Sequence, residues 1–191
     1  MKAVEQKILS EGKAINEDIL VVDSFLNHQI DPQLMKECGD DFARHFADRN
    51  ITRVVTVESS GIAPAVMTAL ALGCPLVFMK KGASATISSE ALHTKVHSFT
   101  KNKDYELFLK KCYINEDDNV LLIDDFLANG AASFGMAKLI EEAGAKVAGI
   151  GIVVNKAFQP GEEALKKAGY DVYCLANVIE MGKDHIVFRE D

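Results

Sequence analysis

The chain has 191 residues, 48% of them hydrophobic and 26% charged, with a formal net charge of −7, which fits one packed domain rather than a disordered or fibrous chain. The acidic balance and the lack of a basic tract argue against sequence-independent nucleic-acid binding. No apolar run is long enough for a membrane span, and Met1-Lys2-Ala3-Val4-Glu5-Gln6-Lys7 has no signal-peptide core, so a soluble cytoplasmic protein is expected.

Val4, Ile8 and Leu9 mark one face of a short opening helix with Gly12 at its C′ position. A strand is predicted over Ile19–Val22. Asp31 then reads as an N-cap and Pro32 as the first helical residue. The helix that follows carries Met35, Cys38, Phe42 and Phe46 at core spacing, with His45 packed or half-exposed beside them.

A strand–loop–helix unit then recurs. Strand Arg53–Val57 leads through Glu58-Ser59-Ser60-Gly61 to helix Ile62–Leu72, closed by Gly73, and to strand Leu76–Met79. Strand Val120–Asp124 leads to helix Ala131–Ala143, closed by Gly144, and to strand Val147–Val154. A shorter version joins helix Glu162–Ala168, Gly169 and strand Val172–Leu175. This alternation predicts an α/β fold: a twisted, mainly parallel sheet with helices on both faces and right-handed crossovers. In such sheets ligands sit beyond the carboxyl ends of the strands, so loops 58–61 and 126–132 should share a crevice. Lys80-Lys81-Gly82 opens a stretch to Lys101 with little apolar periodicity, read as a flexible loop or hairpin over about 81–101 that acts as a lid.

The most informative segment is Val120 to Ala132. Val120-Leu121-Leu122-Ile123 runs into Asp124-Asp125, then Phe126-Leu127, then Ala128-Asn129-Gly130-Ala131-Ala132. The apolar run suits a strand covered on both faces, and the acids should sit where it ends. The small residues let a ligand approach the main chain, and the next helix aims free N–H groups at that ligand. An anion, best a phosphate, fits such a turn. Adjacent carboxylates beside it suit sugar hydroxyls or a hydrated Mg²⁺, hence a phosphorylated sugar.

Cys38, Cys74, Cys112 and Cys174 form no C-x-x-C pair and read as buried small hydrophobes. His93 and His97 are four apart but have no evident third ligand and read as residues of a solvated loop. Lys156 ends an apolar strand beside Phe158, where its ammonium can donate to a carbonyl or an anion.

The Val120–Ala132 segment resembles the signature with which type I phosphoribosyltransferases bind phosphoribosyl pyrophosphate (PRPP), although its turn lacks the usual hydroxyls. Glu58-Ser59-Ser60-Gly61 resembles their pyrophosphate loop, with Ser60 where adenine-specific members carry Arg. Within that family the chain is most similar to the bacterial branch acting on xanthine: Asp124-Asp125-Phe126-Leu127-Ala128-Asn129-Gly130, the segment from Val22 to Pro32, Glu58 to Pro64, and Lys156 to Gly161 all match. The resemblance spans nearly the whole chain.

It implies a type I phosphoribosyltransferase fold in one domain over 1–191. A small hood would come from about 1–30 and 155–191. The implied activity is transfer of the 5-phosphoribosyl group of PRPP to xanthine, giving xanthosine 5′-monophosphate (XMP) and pyrophosphate. Ala128, Asn129, Gly130, Ala131 and Ala132 would take the 5′-phosphate, and Asp124 and Asp125 the ribose hydroxyls as the catalytic pair. Glu58, Ser59, Ser60, Gly61 and one of Lys80 or Lys81 would take the pyrophosphate. Leu20, Asn27 and Lys156 would contact the purine. Mg²⁺ would arrive mainly with PRPP, without a protein metal site of its own, and the enzyme would be a homodimer. Another purine as acceptor, a non-catalytic PRPP sensor, and an unrelated phosphate-binding α/β protein are the alternatives.

Overall fold

A computed structural model describes residues 1–82, 91–98, 103–183 and 185–190. In chain order the elements are α1 (Lys2–Glu11), β1 (Lys13–Ala14), β2 (Leu20–Val21), α2 (Pro32–His45), β3 (Arg53–Val57), α3 (Ile62–Leu72), β4 (Leu76–Lys81), β5 (Ala91–Ser98), β6 (Lys103–Lys110), β7 (Asn119–Leu127), α4 (Ala131–Glu142), β8 (Lys146–Lys156), α5 (Gly161–Lys167), β9 (Val172–Gly182) and β10 (His185–Phe188). A wide helical turn over Asp23–Asn27 separates β2 from α2.

One eight-stranded sheet runs β10-β9-β8-β7-β3-β4-β6-β5. Strands β9, β8, β7, β3 and β4 are mutually parallel, while β6, β5 and β10 pair antiparallel at the edges. From β3 the chain crosses over to β4 on one side, and from β7 to β8 on the other. The order of the sheet therefore reverses between β3 and β7. The crevice at their carboxyl ends is where ligands bind in such folds.

β7 shows why its apolar run is unbroken. Leu121 and Ile123 pack with Met35, Phe42 and Phe46 on the α2 side. Val120 and Leu122 pack with Met136, Leu139 and Ile140 of α4 on the other. Alternate residues of one strand thus fill two cores, as a strand covered on both faces requires. The Asp31 carboxylate caps α2 by accepting from Leu34 N–H at 3.1 Å, with Pro32 in the first turn. His45 sits exposed at the end of α2, stacked on the Tyr173 ring with centroids 3.7 Å apart.

Several expectations are corrected. β7 continues through both acids to Leu127, because Asp124, Phe126 and Leu127 keep their register with Ile152, Val154 and Asn155 of β8. Much of 155–191, expected in a hood, joins the main sheet through β9, which pairs parallel with β8 up to Lys156↔Val178. Leu9 is exposed, and Gly12 closes α1 in an extended conformation (φ −75°) rather than a left-handed one. Within the expected loop 81–101, residues 91–98 form β5 and pair along their whole length with β6; residues 83–90 and 99–101 of it lie outside the described residues. His93 and His97 accordingly lie on a strand, not in a loop, and face Glu106 and Asp104. Cys38 is buried, but Cys112 is exposed at the turn after β6.

Candidate active site

Two buried acids, Asp118 and Asp124, flank the apolar run of β7, and the two are treated differently. Asp118, just before the strand, accepts from Thr52 Oγ1 at 2.7 Å, Arg53 Nε at 2.9 Å and Asn115 N–H at 2.8 Å. Burial alone would raise its pKa, but these donors outweigh it and hold the carboxyl below its ordinary value. Asp124, 4% exposed, accepts from the N–H of its neighbour Asp125 at 3.0 Å and makes no ion pair among the described residues, the charge of Lys81 being the smallest of the influences on it. Burial first, and then the Asp125 carboxylate, push its pKa well above the usual carboxylate range. Asp118 is a structural knot. Asp124 is a charge the fold holds at a cost, in a crevice, which is the signature of a functional group.

The crevice, about 390 Å³, is lined by Val57, Glu58, Ser59, Ser60, Lys81, Asp124 and Asp125. Its floor is tightly built. A Cβ on Gly61 would lie 2.3 Å from Thr56 Oγ1 and 3.2 Å from Asp124 Oδ1. Only glycine therefore lets the 58–61 turn close over the end of β3. Among the described residues Thr56 Oγ1, buried there, has no hydrogen-bond partner, the kind of polar atom that signals a missing ligand or water. The Glu58–Ser59 peptide is cis. Glu58 Oε1 accepts from Lys81 N–H at 2.7 Å, joining the turn to the end of β4. Successive strand residues point to opposite faces. Lys81 lines the crevice, with its Nζ 5.3 Å from the Tyr105 ring centroid. Lys80 lines a separate depression with Phe78, Phe108 and Tyr113.

Across β7 lies the 128–132 turn. Gly130 adopts φ +87° at the N-cap of α4, a left-handed conformation that suits glycine. Ala131 N–H donates to Asn129 Oδ1 at 3.0 Å. The N–H groups of Ala132 and Ser133, in the first helical turn, have no carbonyl of their own helix to reach. The turn is thus a cradle of main-chain donors at the positive end of a twelve-residue helix.

A third cavity, about 310 Å³, adjoins that turn. It is lined by Asn16, Asp18, Ile19, Ala128, Asn129, Lys156 and Gln159. Lys156, 7% exposed, donates to the main-chain oxygen of Asp18, and its Nζ lies 5.6 Å from the Phe126 ring centroid. Burial lowers its pKa, partly offset by Asp18. Leu20 and Asn27 do not line this cavity. Leu20 is buried in β2 and Asn27 is exposed in the 23–27 turn.

Thr56, Tyr105, Phe126, Asn16 and Asp18 were not legible as site residues. Phe126 carried a signal, an aromatic placed directly after the acid pair. The others occupy ordinary strand and turn positions. Among the described residues no three His, Cys, Asp or Glu side chains converge to hold a metal, and no helix is long and apolar enough to cross a membrane.

A reversing parallel sheet with paired acids between the 58–61 and 128–132 turns has the build of a protein that handles a phosphorylated sugar. The model of the phosphoribosyl transferase domain matches residues 22–191, and the chain belongs to the phosphoribosyltransferase family. It is 55% identical to a xanthine phosphoribosyltransferase of Clostridium botulinum, covering 100% of both chains, and 54% identical to that of Clostridium acetobutylicum, covering 98% of this chain and 100% of the other. Its fold is shared with adenine phosphoribosyltransferases of Giardia lamblia (TM-score 0.76, 21% identity, covering 91% of this chain and 97% of that one) and Saccharomyces cerevisiae (TM-score 0.74, 23% identity, covering 92% and 99%).

Proposed function

We propose that this chain transfers the 5-phosphoribosyl group of PRPP to xanthine, forming XMP and pyrophosphate in purine salvage. A purine nitrogen forms a bond to the anomeric carbon as the bond to pyrophosphate breaks, and pyrophosphate leaves with the electron pair. One observation carries the reading: the acid crevice, the 128–132 cradle and the Lys156 cavity follow one another in the order the reaction needs. The Asp124–Asp125 crevice, open to Lys81 and the 58–61 turn, is joined by β7 to the 128–132 cradle. That cradle shares Ala128 and Asn129 with the Lys156 cavity. The whole-chain similarity to xanthine phosphoribosyltransferases supports the choice of base.

In this reading Ala128–Ala132 hold the 5′-phosphate through main-chain donors. Asp124 and Asp125 hold the ribose hydroxyls and place negative charge near a sugar that becomes cationic in the transition state. Glu58–Gly61 and Lys81 orient the leaving pyrophosphate. Lys156 donates to the purine, favours an oxo-purine over the amino group of adenine and suits a partly anionic xanthine ring. Leu20 of β2 and Asn27 of the 23–27 turn lie outside the lining of the Lys156 cavity and contact the base from beyond it.

The residues present fit a Mg²⁺ ion brought by PRPP. Asp124 and Asp125 offer hard oxygen donors without forming a metal site of their own among the described residues, and Mg²⁺ characteristically keeps waters and substrate phosphates as ligands. Bound there it would neutralise charge on the pyrophosphate. The enzyme acts as a homodimer in the cytoplasm.

The test offers PRPP and Mg²⁺ with xanthine, hypoxanthine, guanine or adenine and follows nucleotide and pyrophosphate. XMP well above the other products is expected. Adenosine monophosphate as the main product would overturn the role of Lys156, and no nucleotide from any base would overturn the activity.

A further inference from the structure

The Pro160-Gly161 half of the Lys156–Gly161 motif touches no substrate in the proposed reaction, yet it meets the phosphate cradle from behind. Gly161 N–H donates to Ala128 O at 3.0 Å. A Cβ on Gly161 would lie 2.4 Å from Ala128 O, 2.7 Å from Gly130 N and 2.9 Å from Asn129 C. All three are main-chain atoms and cannot swing aside. Gly161 is not in the left-handed region, so glycine is required there for proximity alone. The start of α5 is itself anchored. Glu162 accepts from Asn155 Nδ2 at 2.7 Å, Arg189 Nη2 at 3.0 Å and Lys166 Nζ at 2.6 Å. Asn155 is fully buried on β8 and also donates to Asn177 Oδ1 of β9 at 2.9 Å. The segment after β10 returns to the same strand, Arg189 N–H donating to Asn177 O at 2.8 Å.

We propose that Gly161 and Glu162 are positioning residues for PRPP: Glu162 fixes the first turn of α5 to β8 and to the C-terminal segment, and Gly161 sets the 128–132 cradle by direct main-chain contact. The inference rests on the cradle being the site of the PRPP 5′-phosphate. It also explains how the base cavity and the cradle keep their spacing, since residues 157–160 alone separate Lys156 from Gly161.

Gly161→Ala and Glu162→Gln are compared with the wild type and with Glu163→Gln, a control on the exposed face of α5. Steady-state kinetics, ribose 5-phosphate binding by calorimetry and thermal melting are read on each. Both positioning variants should raise KM for PRPP by roughly tenfold or more, since small misplacements of a binding group are costly. Affinity for ribose 5-phosphate should fall in parallel, KM for xanthine should stay within about twofold, and kcat should fall less than KM rises. The control should match the wild type. Variants that melt lower but keep KM for PRPP and ribose 5-phosphate affinity would show a merely structural contact and overturn the proposal. If Gly161→Ala does not fold, Glu162→Gln decides by the same readings. A wild type that neither forms nucleotide nor binds ribose 5-phosphate would overturn the phosphate assignment itself, and this inference with it.

Discussion

The main-chain N–H of Asp125 donates to Asp124 Oδ1 at 3.0 Å, joining two adjacent carboxylates whose surroundings differ. Asp124 is buried against Gly61, with its pKa pushed well up by burial and then by Asp125, whereas Asp125 is half-buried and opens on the crevice. Asp125→Asn should therefore lower kcat by roughly a hundredfold or more, as the loss of a group that faces developing charge does, with melting unchanged. Near-normal turnover would remove this carboxylate from the mechanism.

Asp124→Asn should lower activity and stabilise the ligand-free protein at neutral pH. The folded pKa is raised, so the stability linked to Asp124 is complete below the ordinary carboxylate value of 3.8 and is lost as pH rises through the raised value. The Asn side chain does not ionise and escapes this loss. Melting temperatures of the two proteins should diverge as pH is raised from about 4 to neutrality. Parallel curves would show that Asp124 carries no such strain.

Lys81 and Lys80 should separate cleanly. Lys81 lines the acid crevice and Lys80 a depression beside Phe108. Lys81→Ala is expected to raise KM for PRPP by roughly tenfold, the scale of a charge-assisted contact. Lys80→Ala should leave it unchanged. The reverse pattern in initial-rate kinetics would mean that β4 presents the other face to the substrate.

How far the sequence carried this reading depends on the kind of residue. The repeated unit was legible because its helix Ile62–Leu72 ends in Gly73 at φ +70° and its strand Arg53–Val57 carries the β-branched Val54, Val55, Thr56 and Val57 in a row. The acid pair and the Gly130 turn were legible because their chemistry is local in sequence. Thr56 was not, since its unpartnered hydroxyl exists only where Gly61 folds back upon it. The extension of β7 past Asp125 was missed because acids disfavour strands locally, and it is β8 that holds them in register. The Asp18 carbonyl beside Lys156 comes from 138 residues away, a distance that no periodicity encodes.

Lys156→Met keeps the aliphatic stem and removes the donor. KM for xanthine should rise by roughly tenfold to a hundredfold, because a polar partner is left unpaired, while KM for PRPP stays within about twofold. Unchanged xanthine kinetics would return Lys156 to a structural tie with Asp18.

Acid stability should report on Glu162. Burial works against its charge, but the hydrogen bonds from Arg189 and Lys166 outweigh it and hold its pKa at about 2, below the ordinary 4.5. A depressed folded pKa gives stability that is present above the ordinary value and lost as pH falls through the lowered one. Wild type should therefore lose stability relative to Glu162→Gln as pH drops from 4.5 to about 2. Above that window the wild type should be the more stable, because the Gln amide pairs less strongly with Arg189. Denaturant midpoints of both proteins across the window decide it. A constant difference between them would mean that the Glu162–Arg189 pair does not feel its own ionisation, and that α5 is held by packing of Leu165 instead.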